Sequence, residues 1–170
     1  MSAIVIDTNV LLVADGQATQ MSGGCLQECL LRLEQAKTTE QIVLDNKWII
    51  LGEYHRKLSP NRAPTPGSAF LKWLLTVQGV AEHVSFVTIT PLDKEQTRFK
   101  EFPPDTALEA AFDPADRKFI ATANAHPEKP PVLECADSKW LGWEGRLVAH
   151  GIHLEVLCRC ELETIRQRKA

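Results

Sequence analysis

Short apolar runs of strand length, separated by segments with helical period, constrain this chain more than any other feature. The stretches "AIVID" (3–7), "QIVLD" (41–45) and "PVLECAD" (131–137) carry almost no polar alternation. A strand that is apolar on both faces belongs inside a parallel sheet covered by helices, not in a sheet with one wet face. Helical spacing fills the gaps. It occurs at 9–14, at 25–37 (Cys25, Leu26, Cys29, Leu30, Leu33), at 46–58 up to Ser59–Pro60, and at 69–78. The β-branched run "VSFVTIT" follows, then helical patterns at 113–126 and 138–151 and a closing strand "IHLEVL". The expectation is one α/β domain over 1–157, with a central, mostly parallel twisted sheet and helices on both faces. A polar C-terminal tail, 158–170, is helical or frayed. The stretch "SPNRAPTPGS" reads as loop. Within 91–112, "PLDKEQTRFKEF" reads as a helix and "PPDTALEAAF" as a turn with a short helix.

Composition narrows the partners. The 170 residues carry a net charge of -3, so no global basic field exists to coat a duplex, and any nucleic acid must be held by a local patch. No apolar run approaches the roughly 18–20 residues of a membrane span, and the first residues lack the basic segment of a secretory signal. Five cysteines, an odd number, point to reduced thiols and a cytoplasmic setting. The pairs Cys25/Cys29 and Cys158/Cys160 lack common zinc-finger spacing and read as small buried hydrophobes.

In a parallel sheet, ligands gather beyond the carboxyl ends of the strands. Asp7 and Asp137 arrive at that rim. Glu53 shares a helix face with Ile49 and Ile50, and Asp116 heads a stripe continued by Ile120 and Ala123. No basic partner is visible on those stripes. Unpaired carboxylates at the margin of an apolar surface are costly, and crowding them raises their pKa values. A divalent ion relieves both penalties, and an all-oxygen donor set selects Mg²⁺ or Mn²⁺. Each acid also has a plainer reading. Asp7 or Asp137 can cap the helix that follows, Asp45 or Asn46 has a similar claim ahead of its own helix, and Glu53 can be a solvated helix residue. Asp116 can be a dipole-favoured acid behind the cap Asp113, since Pro114 suits the first helical position.

With "IVIDTNVLL", the Glu of "WIILGEYHRKL", "DRKFIATA" and "LECADSKW" in that order, the chain resembles the PIN-domain superfamily of metal-dependent nucleases, which includes toxin–antitoxin ribonucleases. The resemblance implies an acidic catalytic and metal site of Asp7, Glu53, Asp116 and Asp137, with Thr8 and Asn9 holding water or orienting groups beside the first acid. It implies hydrolysis of phosphodiester bonds, with RNA the favoured nucleic acid, a possible antitoxin partner and a homodimer. Cations at Arg56, Lys57, Arg62, Arg117 and Lys118 are the phosphate-binding candidates, and Trp140 and Trp143 are either base-stacking or core residues. The chain departs from compact toxin members in its longer stretches around Arg62 and 91–112, and in Ser138–Lys139 after Asp137. Two alternatives remain: a non-catalytic PIN-like binding or scaffold module, and an aspartate-nucleophile phosphatase of the HAD type. The latter needs a second Asp two positions on, where Asn9 stands.

Overall fold

A computed structural model describes residues 1–61 and 64–170. Arg62 therefore lies outside the described residues. In chain order the elements are β1 (Ser2–Ile6), α1 (Thr8–Ala14), α2 (Gly23–Thr39), β2 (Glu40–Asp45), α3 (Ile49–Leu58), α4 (Pro66–Val77) and β3 (Val84–Val87). They continue with α5 (Thr106–Ala111), α6 (Arg117–Ala125), β4 (Val132–Glu134), α7 (Lys139–Ala149), β5 (Leu154–Val156) and α8 (Arg159–Lys169).

The strands form a five-stranded sheet of order β3-β2-β1-β4-β5, with every pair of strands parallel. The α/β reading of the sequence therefore holds. Buried runs explain the arrangement: Ile4, Val5 and Ile6, then Ile42, Val43 and Leu44, are each fully enclosed, so both faces of these strands need helical cover. The general right-handedness of connections between parallel strands predicts α1–α4 on one face and α5–α7 on the other. The chain moves outward from β1 to β3, then returns to the far side of β1. The reversal falls between β1 and β4, and that is where a parallel sheet opens a crevice for ligands.

Local chemistry sets the element ends. Asp45, at the tip of β2, takes the N–H groups of Lys47, Ile49 and Ile50 at 2.8–3.0 Å and so caps α3. Asp113 accepts from the N–H of Ala115 at 3.1 Å, with Pro114 opening the 3₁₀ turn Pro114–Asp116, as its sequence suggests. Against α1, α4 approaches closely at Gly67, where a Cβ would meet the carbonyl oxygen of Leu11 at 2.8 Å.

Two expectations are corrected. The stretch "PLDKEQTRFKEF" is not a helix: the Asp93 carboxylate takes the N–H groups of Thr97 and Arg98, and Leu92 N–H donates to the Arg98 carbonyl at 2.8 Å. An aspartate that captures nearby backbone donors offers the chain a turn in place of a helix. The short helix after it does form, as α5. Nor are all five cysteines reduced: Cys25 and Cys158 form a disulfide across 133 residues of sequence. It pins the start of α8 to α2, and α8 further buries Leu162 and joins Arg159 to Glu144 at 2.5 Å. Among the described residues, no helix is long and apolar enough to cross a membrane.

Because Asp45 holds three otherwise unpaired donors, Asp45→Ala is expected to destabilise the fold by about 1–2 kcal/mol. Urea unfolding monitored by circular dichroism measures this, and Asp45→Asn, which keeps an acceptor, should cost less.

Candidate acidic site at the strand ends

Asp7 follows β1 directly, and its side chain makes no capping hydrogen bond to α1. The residue is 2% exposed, and Oδ2 has no hydrogen-bond partner among the described residues. Asp7 therefore holds the N-cap position of α1, as the capping reading expects, but without the side-chain bonds that Asp45 makes.

The register Val5↔Val132 and Ile6↔Leu133 brings Asp7 alongside Glu134, the last residue of β4, and Asp7 N–H donates to the Leu133 carbonyl at 2.9 Å. Glu134 is fully buried. Its Oε1 accepts from Asp137 N–H at 3.0 Å, while Oε2 has no partner among the described residues. Burial, then the charges of Asp7, Asp137 and Asp116, push the Glu134 carboxyl up to about 9. Sequence reasoning missed this residue. An acid in the middle of the apolar run "PVLEC" was the available signal.

Glu53 is carried inward by α3, where its neighbour Tyr54 donates its hydroxyl proton to the Ile6 carbonyl and ties the helix to the end of β1. Thr8 donates to Glu53 Oε2 at 2.5 Å, so the residue beside Asp7 does orient another acid of the set. On the other oxygen, Lys118 Nζ stands 3.1 Å from Oε1 and also donates to the Ala115 carbonyl. A basic partner therefore exists, contrary to the reading from the stripes. It was hidden because Lys118, on α6, reaches Glu53 across 65 residues of sequence.

Asp116 ends the 3₁₀ turn ahead of α6 and is half-buried, its carboxyl raised to about 6 by burial and by Asp113, Asp137 and Glu53. Lys118 opposes that shift. For Asp7, burial and then the charges of Asp116 and Glu53 hold the carboxyl well above its usual range, against Lys118 and the Asn9 N–H. Asp137 accepts from Lys139 N–H at 3.1 Å and so partly caps α7. The four acids singled out in the sequence thus act on one another electrostatically, and Glu134 joins them. They do not close into a ligand cage: among the described residues, no three carboxylates bring oxygens within 4.8 Å of one another.

Beside these acids lies a cleft of about 460 Å³ lined in part by Glu53, Lys118, Lys47, Trp48, Arg56 and Asp113. Asp7, Asp116, Glu134 and Asp137 are not on its walls. Trp48 stands 51% exposed at the lip in a left-handed backbone conformation, φ 60°, and is the aromatic residue that sequence reasoning overlooked. Trp140 is core, edge-on to Phe112. Of the cations, Arg56 and Lys57 are exposed. Arg117 is buried, donating to the carbonyls of Thr97 and Glu109 at 3.2 and 2.7 Å, so it clamps the 91–112 segment instead of facing a phosphate.

No protein-family model, curated protein or solved structure matches the chain.

A raised carboxyl pKa means the folded state binds more protons than the unfolded chain, so stability falls as pH rises from the unfolded value through the folded one. For Glu134 that window runs from 4.5 to about 9. Thermal unfolding in chelator-treated buffer should show Tm declining across this range. Glu134→Gln, which mimics the protonated acid, should flatten the decline.

Proposed function

We propose that the chain is a metal-dependent nuclease of PIN-domain type, hydrolysing phosphodiester bonds with RNA as the favoured substrate. One observation carries the reading: two adjacent strand-end carboxylates, Asp7 and Glu134, each bury an oxygen that lacks a partner among the described residues, at the point where the sheet reverses direction. All the donors there are carboxylate oxygens, which fits Mg²⁺ or Mn²⁺ and no softer ion. Asp7, Asp116 and Asp137 would hold the ion, with Glu134 as an added donor and Glu53 completing the set as Lys118 yields. When bound, such an ion activates water and offsets charge on the phosphate oxygens.

The chain's own residues supply the rest. Thr8 fixes the orientation of Glu53 through its hydroxyl, and Lys118 keeps a positive charge at the inner wall of the cleft. Arg56 and Lys57, exposed in the last turn of α3, would draw the phosphate backbone without reading sequence. Trp48 offers a face for an unpaired base, which favours a single strand over a duplex.

A second reading, a non-catalytic nucleic-acid-binding module, draws support from Lys118, which already balances Glu53, and from the open spacing of the acids. An antitoxin partner and a homodimer belong to the PIN resemblance and rest on it alone.

End-labelled RNA and single-stranded DNA, incubated with Mn²⁺, separate the two readings. Wild type should cleave RNA, and Asp7→Asn should lose more than the roughly 10–100-fold that removal of an outer ligand partner costs. If the folded wild type cleaves neither polymer yet binds RNA, the module reading stands. In the same RNA, Trp48→Ala should weaken binding by about 1–3 kcal/mol, the worth of one stacked base, as read by fluorescence anisotropy.

A further inference from the structure

Three cysteine sulfurs meet between α2 and the start of α8. Those of Cys25, Cys29 and Cys158 lie within 4.8 Å of one another, and all three residues are buried. Cys25 and Cys158, bonded in this structure, line a cleft of about 380 Å³. Cys29, one turn further along α2, is a free thiol. Any single buried cysteine is accounted for by packing, but three at one point form a donor set for a thiophilic ion. Two helix ends favour thiolates there. Cys25 is the third residue of α2, and Cys158 is the N-cap of α8. The positive end of a helix lowers the pKa of a nearby thiol.

We propose that, once the bond between Cys25 and Cys158 is reduced, Cys25, Cys29 and Cys158 together bind one Zn²⁺ ion. A dithiol reductant opens the bond: its two sulfurs join to each other, and its two electrons and two protons pass to Cys25 Sγ and Cys158 Sγ. Each of the three thiols then releases its proton to solvent as its sulfur bonds the ion. Zinc–sulfur bonds of about 2.3 Å around a tetrahedral ion set the sulfurs about 3.8 Å apart. That spacing lies within the span these three sulfurs already share. Thiolates select a soft ion, so the hard Mg²⁺ and Mn²⁺ suited to the carboxylates do not compete. Among soft ions the charge favours zinc, since Zn²⁺ cancels two of the three thiolate charges and Cu⁺ only one, and buried charge is costly. The fourth position faces the cleft and takes water. Cys135 is not a ligand; its thiol, 3.5 Å from Cys29 Sγ, is placed to donate to that sulfur. The ion fastens α8 to α2 as the disulfide does, so the C-terminal helix stays pinned in both redox states. The site stands whether or not the chain is a nuclease.

The test uses the full chain in two forms: oxidised, and reduced with dithiothreitol then desalted without oxygen. Co²⁺ is the probe, because its thiolate complexes show a sulfur-to-metal charge-transfer band that carboxylate complexes lack. The reduced chain should bind one Co²⁺ with that band and release it to stoichiometric Zn²⁺. The oxidised chain should show no band. Reduced Cys29→Ser should bind Zn²⁺ more than about 100-fold more weakly, beyond the cost of losing an outer partner. Asp7→Asn and Cys160→Ser should keep both the band and its displacement, which separates this ion from one held by the carboxylates or by the exposed thiol. A reduced wild-type chain without the band, folded by circular dichroism or not, overturns the proposal. So does a band in the oxidised chain, failure of Zn²⁺ to displace the cobalt, or undiminished binding by Cys29→Ser. Loss of the band in Asp7→Asn or in Cys160→Ser also overturns it.

Discussion

The pairing of β1 with β4 forces two buried carboxyl groups side by side, and much else is arranged around that contact. Asp7 and Glu134 end neighbouring central strands, and both are shut off from water. Two ionised carboxylates in such a place repel each other and forfeit their hydration, so both carboxyls are held above their usual range. Around them stand partial remedies: the Asp137 N–H on Glu134, the Thr8 hydroxyl on Glu53, and the Lys118 ammonium facing Glu53. Asp45 shows what a fully accommodated strand-end acid looks like, with three backbone donors on its two oxygens. Asp45 and Asp7, two acids at equivalent points on adjacent strands, thus differ in one respect: the first spends both oxygens on backbone donors, and the second leaves Oδ2 without a partner among the described residues.

Arg117 and Lys118, neighbours in sequence, turn to different tasks. Arg117 fastens the turn-rich segment before α6 through two carbonyl oxygens, while Lys118 enters the acidic site. The position of Asp116, immediately ahead of both, is thereby fixed from two directions. Of a cation pair that looks like a phosphate patch in the sequence, one member holds a loop and the other faces Glu53 from the wall of the cleft.

The fold was largely legible because its signal is local: apolar runs of strand length, helical spacing between them, and caps such as Asp113–Pro114. Inward placement of Glu53 and the rim position of Asp7 followed from the same patterns. Three features were hidden, each for the same reason. The Lys118–Glu53 contact, the Cys25–Cys158 bond and the pairing of Glu134 with Asp7 all join residues far apart in sequence, and spacing within a segment carries no trace of them. Helix in "PLDKEQTRFKEF" was misread because Asp93 captures backbone donors that a helix would otherwise use. Trp48 was passed over since its exposure depends on a left-handed backbone that composition does not announce.

The disulfide has a topological meaning of its own. Everything from Cys25 to Cys158 lies inside one covalent ring, including β2 and β3 on one side of the sheet and β4 and β5 on the other. The central strand, β1, lies outside that ring. Arg32 of α2 strengthens the same closure, joining Glu40 of β2 to Glu155 of β5 at 2.6 Å each. The ring thus braces two half-sheets around a slot, and β1 occupies the slot through hydrogen bonds and packing alone. The strand that delivers Asp7 is the keystone of the sheet, yet it is the one strand that the covalent frame does not hold.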